Sequence, residues 1–239
     1  MSLLKSLAIY FFDLLDIFIH QKRILLELKK NNLKINSFID VGAHKGIYTD
    51  LILRNFKVKK VFMFEPQKNI FNFIKKKYKK FRNIKVLNNA ISNNEKMKNI
   101  YINHHDLTSS LTKLNKNNLY LKIKSKLFGG NIDKMISHFY KVKTKKLSNI
   151  IKKEKLKKVD LLKIDTEGHE LNVLLGLEKK IKIVNTILIE FHTDNIYLNY
   201  DSRKIHNYLL SKNFILKKQI KFPFTEWEDR IYTKKNQSA

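Results

Sequence analysis

The chain has no cysteine, two prolines, six glycines and only five arginines among its 239 residues. The absence of cysteine excludes disulfide bonds and thiolate zinc sites, and nothing in the composition points to an oxidising compartment. We therefore expect a cytoplasmic protein. The scarcity of arginine, alanine, glycine and proline, with abundant lysine, asparagine and isoleucine, is typical of a protein encoded by AT-rich DNA.

The formal net charge is +28, and lysine accounts for all but five of the 49 basic residues. Such a charge attracts phosphate and is also found in proteins that bind nucleic acids. A surface selected for phosphate or base contacts would use more arginine, because its planar fork of donors binds these groups better. We therefore expect no nucleic-acid partner, only weak and salt-sensitive affinity for anionic surfaces.

Residues 1–34 are predicted to form an amphipathic helical extension. The apolar stretch Leu3–Ile19 is interrupted by charged residues and lacks a basic leader and a small-residue cleavage site, so it fits neither a membrane span nor a signal peptide. Its apolar residues recur at helical spacing. We expect this helix to pack on the domain or across a homodimer. The alternative is a peripheral contact with the inner face of the membrane.

From residue 37 onwards, predicted strands and helices alternate, which is typical of an α/β fold with a doubly wound, mostly parallel sheet. The predicted strands are Ser37–Val41, Lys59–Phe64, Ile84–Asn88, Val159–Ile164 and Asn185–Phe191. The predicted helices are Gly46–Asn55, Gln67–Lys80, His169–Lys180 and Ser202–Ser211. Phe214–Lys221 and Asp229–Thr233 are predicted to close the sheet as a C-terminal antiparallel hairpin. Residues 35–239 are thus expected to form one domain.

Residues 104–158 do not follow this alternation. They are predicted to be an insertion with some helix, after an added strand at Lys98–Asn103 and with a regular element near Val142–Ile151. Loops of this length inside compact domains are usually functional or poorly ordered. We expect this insertion to cover the substrate-binding site.

Three features indicate a nucleoside cofactor. Asp40-x-Gly42-x-x-x-Gly46 lies at a strand-to-helix junction, where glycine lets the backbone turn tightly and approach a ligand. Glu65 ends the next strand, where nucleoside-binding folds place an acid for the ribose hydroxyls. Asn89 and Ala90 follow the third strand and can meet an adenine edge. The loop lacks the third glycine of a pyrophosphate-binding turn, which favours a cofactor without phosphate.

Two motifs resemble those of the FkbM-type methyltransferases. One is residues 40–49, DVGAHKGIYT, and the more specific one is residues 160–170, DLLKIDTEGHE, continued by LLG at 174–176. Residues 109–111 and 189–192 are also similar, so the resemblance extends from about 36 to 195. It implies a seven-stranded, class I Rossmann-like methyltransferase fold with S-adenosylmethionine as donor. The family usually methylates hydroxyls of sugars or secondary metabolites. His44 departs from the family, in which asparagine is common.

The resemblance also implies roles for individual residues. Asp40, Gly42 and Gly46 would shape the methionine pocket, Glu65 would bind the ribose, and Asn89 and Ala90 would lie near the adenine. Other candidates for cofactor contacts are Ala43, His44, Tyr48, Thr49 and Ser110. The catalytic candidates near the sulfonium methyl are Asp165, Glu167, His169, Glu190 and His192.

The transfer needs an aligned acceptor oxygen and a group that takes its proton. We favour Asp165, Glu167 and His169 as that group, without choosing one base. Alternatively, Glu167 and Glu170 only complement the dipole at the start of a helix, and His192 is only a polar anchor. We expect no metal, because the acids lie on separate strands without a compact ligand motif. The alternative is a divalent ion held by Asp165, Glu190 and His192.

The sequence thus predicts an O-methyltransferase acting on a sugar, a glycan or glycolipid precursor, or a secondary metabolite. One rival is RNA methylation, which the charge favours and which would place the basic residues beside the Gly42–Gly46 loop. The other is an inactive scaffold that binds the cofactor. Retention of both Glu65 and the 165–170 cluster argues against that scaffold.

Overall fold

The computed structural model describes residues 15–30, 33–103, 109–119, 121–122, 136–193, 195–223 and 225–235. Most of the helix predicted at Leu3–Ile19 lies outside these residues, and so does part of the 104–158 insertion. The described part of the extension begins with a π-helical turn, Asp16–His20, and continues as α1, Gln21–Lys30.

A seven-stranded sheet forms the centre of the fold. Its strands are β1 Ser37–Val41, β2 Lys60–Phe64, β3 Ile84–Leu87, β7 Val159–Ile164, β8 Val184–His192, β9 Phe214–Lys221 and β10 Trp227–Lys234. Their order is β3-β2-β1-β7-β8-β10-β9, and only the last two strands run antiparallel to their neighbours. The predicted mostly parallel sheet with a closing hairpin is confirmed. Strand order reverses between β1 and β7, which is where open α/β sheets bind ligands.

The central strands are apolar because helices cover both faces of the sheet. β1, β7 and β8 contain almost only buried residues, the pattern of strands covered on both sides. The covering helices are α2 Ile47–Asn55, α3 Lys68–Lys77, α4 Leu147–Lys153, α5 Glu170–Leu175 and α6 Ser202–Ser211. One apolar cluster joins α4, α5 and α6 to one face, and a second joins α1, α2 and α3 to the other.

The extension is part of this packing. Ile24 and Leu28 of α1 are buried in the second cluster beside Phe38 and Leu188. The described part of the predicted amphipathic helix therefore packs on the domain. None of the helices in the described ranges is long and apolar enough to cross a membrane.

The region before β7 differs from the prediction in detail. A separate three-stranded sheet has the order β4-β6-β5, formed by Ala90–Ile91, Ile136–Lys145 and Met97–Asn103. The single element expected near Val142–Ile151 is instead the end of β6 followed by α4. β6 pairs antiparallel with β5, so the insertion leaves and re-enters the domain along one ribbon.

The length predicted for the helix at His169–Lys180 was wrong. It divides into α5 and a 3-10 helix, Glu178–Ile183, and Gly176 lies between them. A Cβ on Gly176 would lie 2.3 Å from the Ser92 carbonyl oxygen, so this close approach of two chain segments requires glycine.

Candidate functional site

A row of charged side chains crosses four neighbouring strands near the carboxyl ends of β1, β7 and β8. Asp40 of β1 is paired in register with Lys163 of β7, and Glu190 of β8 is paired with Asp229 of β10. All four are buried. Their apolar neighbours two residues away belong to the cluster under α1, α2 and α3, so the row lies on that face of the sheet.

Lys163 is the cation of this row. Its Nζ lies 2.8 Å from Asp165 Oδ2, 4.0 Å from Asp40 Oδ1 and 4.3 Å from the centre of the Tyr48 ring. Burial alone would lower the pKa of Lys163, but the charges of Asp165 and Asp40 outweigh it and raise that pKa. Burial would raise the pKa of Asp165, but the charge of Lys163 outweighs it and lowers that pKa. Lys163 is therefore a fixed positive charge between the two acids.

The Asp40–Gly46 loop turns sharply at both glycines. Gly42 and Gly46 have φ values of 79° and 77°, in the left-handed region that favours glycine. A Cβ on Gly42 would lie 1.7 Å from the carbonyl oxygen of Asp165, and one on Gly46 would lie 2.5 Å from the Tyr78 hydroxyl. The loop therefore packs backbone against backbone on the turn after β7, and no larger residue fits.

Glu65 lies at the end of β2 beside this loop. Its two carboxylate oxygens accept backbone N–H groups from His44 at 2.9 Å and from Gln67 at 2.8 Å. Burial raises the pKa of Glu65 to about 7, although both hydrogen bonds favour the ionised form. Carboxylate oxygens can accept further hydrogen bonds, so these contacts leave Glu65 able to bind a ligand hydroxyl. We call the Asp40–Gly46 loop and Glu65 the cofactor half.

The other cofactor candidates occupy different surroundings. Thr49 donates to Asp40 Oδ2 at 2.7 Å and so holds a member of the charged row. The Tyr48 hydroxyl donates to Asp229 Oδ2 at 3.1 Å. Ala90 is buried in β4, and the Asn89 side chain reaches the Lys143 carbonyl only at 3.5 Å. Direct cofactor contacts by these four residues stay predictions.

Three of the catalytic candidates meet at the carboxyl ends of β7 and β8. One ligand atom from each of Glu167, Glu190 and His192 lies within 4.8 Å of the others. His192 Nε2 is 3.3 Å from Glu190 Oε2 and 3.7 Å from Glu167 Oε2. Burial and the charge of Glu190 raise the pKa of Glu167, while burial and the charge of Asp165 raise that of Glu190. We call these three residues the acceptor half.

The backbone turn at Glu167 is held from several sides. Glu167 has a φ of 55° and Gly168 one of 89°. The Tyr197 hydroxyl donates to Glu167 Oε2, and the Ser110 hydroxyl donates to the backbone carbonyl of Glu167. A non-glycine residue with positive φ is strained and persists only where its surroundings enforce it. The Ser110 hydroxyl therefore lies on this turn, and its predicted cofactor contact stays a prediction.

The dipole alternative fits Glu170 and not Glu167. Glu170 Oε1 accepts the backbone N–H groups of Thr166 at 3.0 Å and Gly168 at 3.1 Å, at the start of α5. The carboxylate of Glu167 is directed to Tyr197 and His192 instead.

His169 has its own set of partners. Its Nε2 lies 3.0 Å from the Ser92 hydroxyl, and its Nδ1 lies 3.4 Å from the Thr112 hydroxyl and 3.3 Å from the Asn172 amide. Burial and the charge of Lys98 lower the pKa of His169 to about 3. A ring with so low a pKa is too weak a base to take a proton from a hydroxyl near pH 7. The acceptor half is therefore favoured over His169 as the base.

Sequence reasoning missed Lys163, Asp229, His20 and Tyr197. His20 Nε2 lies 2.8 Å from Asp229 Oδ2, so the N-terminal extension joins the charged row. A lysine inside the otherwise apolar 161–164 segment was a visible signal for Lys163. No local pattern marked Asp229, His20 or Tyr197, because their partners lie far away in the chain.

A family model described as the methyltransferase FkbM domain matches residues 40–216. The chain is 28% identical over 182 residues to the methyltransferase sdnD of Sordaria araneosa, covering 66% of this chain and 68% of that protein. The range that the family model matches includes both halves of the site.

Two solved structures share the fold. The methyltransferase FkbM from Methylobacillus flagellatus KT has a TM-score of 0.53 at 16% identity, over 83% of this chain and 43% of that one. The chain thus spans less than half of that protein. TrmK of M. capricolum, in complex with S-adenosylhomocysteine, has a TM-score of 0.51 at 12% identity, over 91% and 69% of the two chains.

Proposed function

The chain belongs to the FkbM methyltransferase family, and on that premise we propose that it transfers a methyl group from S-adenosylmethionine to a hydroxyl oxygen. The acceptor class we propose is a sugar, a glycan or glycolipid precursor, or a secondary metabolite. The observation that carries the proposal is the position of the two halves of the site. They lie at the carboxyl ends of β1 and β2 and of β7 and β8, on either side of the reversal in strand order.

The cofactor half fits S-adenosylmethionine. Gly42 and Gly46 let the loop turn sharply at the end of β1 and pack closely on its neighbours, and Glu65 offers a buried carboxylate to the ribose hydroxyls. The loop has no third glycine for a pyrophosphate, which a cofactor without phosphate does not need. In this proposal Gly42 and Gly46 hold the methionine part and Glu65 holds the ribose.

The acceptor half fits the remaining chemistry. When bound, S-adenosylmethionine supplies a methyl group that its sulfonium already activates. The protein has to orient the acceptor oxygen and take its proton. Glu167, Glu190 and His192 provide proton acceptors within 4.8 Å of one another, in surroundings that exclude most water.

The surroundings of the acceptor half favour a small hydroxylated molecule. A cavity beside it has polar lining residues, including His192, Thr193, Asn195, Tyr200, Asp201 and Arg203. Residues of the insertion lie against the same region, since the Asn115 amide donates to the Asn195 carbonyl at 2.9 Å. Leu114 packs on Tyr197. We propose that the 104–158 insertion covers the acceptor.

The test is transfer of labelled methyl groups from S-adenosylmethionine to panels of free sugars, glycolipid precursors and hydroxylated metabolites. We expect a product that is heavier by one methylene and carries a methyl ether signal in its NMR spectrum. Glu167→Gln should lose the product, while exposed Glu226→Gln should retain it. Label only on nitrogen or carbon of the products would contradict the O-methylation proposal.

RNA methylation is the second candidate, because the net charge of +28 favours a polyanionic acceptor. It predicts label in RNA and binding that weakens steeply between about 50 and 200 mM salt.

Binding of S-adenosylmethionine without transfer to any panel would favour the inactive scaffold. Peripheral membrane contact and a homodimer remain proposals for the N-terminal extension.

A further inference from the structure

Glu167, Glu190 and His192 have the spacing of ligands that share one metal ion. The distances between His192 Nε2 and the two carboxylate oxygens are 3.3 and 3.7 Å. Ligand atoms about 2.0–2.2 Å from a tetrahedral ion lie about 3.4 Å from one another. Glu190 and His192 lie at the end of β8, and Glu167 lies on the turn after β7 that Tyr197 and Ser110 hold.

Two of the three ligand atoms are buried and lack a hydrogen bond. Glu190 Oε2 and His192 Nε2 have no hydrogen-bond partner among the described residues, and the two residues are 9% and 6% exposed. The atoms face each other at 3.3 Å without forming a hydrogen bond. Leaving buried polar atoms unpaired costs free energy. A cation between them would satisfy both atoms at once. Their missing hydrogen bonds are an observation independent of the charge of the cluster.

Neighbouring side chains hold the ligands in place. The rings of Tyr197 and Tyr200 meet the His192 ring edge-on at 4.9 and 5.6 Å, and the His192 backbone N–H donates to the Tyr200 hydroxyl at 3.1 Å. Tyr197 also donates its hydroxyl to Glu167. Such surrounding contacts orient the ligands of metal sites.

Asp165 is not part of this set. Its Oδ2 pairs with Lys163 Nζ at 2.8 Å, and that lysine would repel a cation brought to the same oxygen. The ligand set considered from the sequence, Asp165 with Glu190 and His192, therefore changes in one member. Glu167 takes the place of Asp165.

We propose that Glu167, Glu190 and His192 bind one divalent transition-metal ion of the Mn²⁺ or Zn²⁺ class. Two carboxylates balance the charge of such an ion, and the imidazole favours it over Mg²⁺, which prefers oxygen ligands and retains its water. Three protein ligands leave a coordination position open. Binding of the ion does not rest on the proposed function. With the ion bound, the three side chains are its ligands instead of proton acceptors, and the ion would make an acceptor hydroxyl at the open position more acidic. That last role rests on the proposed function.

The test is calorimetric titration of the chelator-treated full chain with Mn²⁺ and Zn²⁺, with Mg²⁺ in a parallel titration. We expect one ion per chain. Glu190→Gln and His192→Gln should each weaken binding at least about tenfold, by removing a ligand. The matched controls are Glu226→Gln and His138→Gln, at exposed positions outside the cluster, and they should bind as the unchanged chain does. Equal binding by all variants, no stoichiometric binding, or binding of Mg²⁺ alone would overturn the proposal.

A Co²⁺ absorption spectrum of the unchanged chain keeps the test decisive if a variant fails to fold. Visible bands typical of a four- or five-coordinate nitrogen and oxygen site support the proposal, and the spectrum of hydrated Co²⁺ overturns it. A separate titration of the metal-free chain with S-adenosylmethionine distinguishes the two proposals. Metal binding without cofactor binding would contradict only the proposed function, and the reverse result would contradict only the metal site.

Discussion

The cofactor half consists mainly of backbone turns, and the acceptor half consists mainly of side chains. In the cofactor half, backbone turns dominate, and the carboxylate of Glu65 has both oxygens occupied by backbone N–H groups. In the acceptor half, side chains dominate, and Glu190 Oε2 and His192 Nε2 form no hydrogen bond with the residues that the structure describes. Three of the four carboxylate oxygens of Asp40 and Glu65 accept a hydrogen bond, and the fourth, Asp40 Oδ1, lies 4.0 Å from Lys163 Nζ. In the acceptor half, the two atoms that lack a hydrogen bond face each other. Natural proteins accept such groups mainly where a ligand or a reaction uses them.

The largest effect should come from breaking the backbone of the cofactor half with Gly42→Ala. The left-handed φ and the overlap with the Asp165 carbonyl should together lower the free energy of unfolding by about 2–5 kcal/mol. Chemical denaturation measures this change. Lys45→Ala, an exposed position in the same loop, is the control and should stay within about 0.5 kcal/mol of the unchanged chain. If Gly42→Ala were as stable as the unchanged chain, the predicted overlap with the Asp165 carbonyl oxygen would be wrong.

In the acceptor half, Glu190→Gln should raise the free energy of unfolding instead of lowering it. The amide carries no charge that burial disfavours and can donate to His192 Nε2, which forms no hydrogen bond with Glu190. The free energy of unfolding of the metal-free chain should rise by about 1–3 kcal/mol at pH 8. Denaturation beside Glu226→Gln measures it. A loss of stability would mean that Glu190 is already well paired in the folded protein.

The pH dependence of cofactor affinity should distinguish the halves further. The folded pKa of Glu65 is raised from 4.5 to about 7, so the residue takes up a proton as pH falls through 7. If the ionised form accepts the ribose hydroxyls, affinity for S-adenosylmethionine should fall by up to about tenfold per pH unit below that value. Calorimetry between pH 5.5 and 8.5 measures this slope, and Glu65→Gln should flatten it. An equal slope in that variant would assign the titration to another group.

The same shift has a consequence for stability. Because folding raises the pKa of Glu65, its ionisation disfavours the folded state. Its contribution to the free energy of unfolding is therefore fully present below pH 4.5 and is lost as pH rises to about 7.

The smallest effect should come from Tyr48→Phe, at the boundary between the halves. The variant loses one hydrogen bond to Asp229, which still pairs with His20, so stability should fall by about 1 kcal/mol. Affinity for S-adenosylmethionine should change less than about threefold, a difference below 1 kcal/mol. Thermal denaturation and calorimetry measure the two quantities. A large loss of affinity would instead support the predicted contact between Tyr48 and the cofactor.

Local patterns were sufficient to predict the sheet and the cofactor loop. The bounds of Ser37–Val41 and Val159–Ile164 were correct because short apolar runs between turn residues define buried strands. The helix from His169 was predicted too long, because the close approach of Gly176 to Ser92 is a tertiary contact that no local pattern contains. The role of Lys163 and the exchange of Asp165 for Glu167 depend on distances between separate strands, which spacing along the chain does not fix.

Calorimetric titration with S-adenosylmethionine tests the central claim most directly, with the unchanged chain beside Glu65→Ala. The account predicts one cofactor bound per unchanged chain and affinity weakened about 10- to 100-fold in the folded variant, the loss of hydrogen bonds to a charged group. Glu154→Ala, a carboxylate on the distant edge of the domain paired with Lys85, should bind as the unchanged chain does. Absence of binding by the unchanged chain, or equal affinity in Glu65→Ala, would contradict the account.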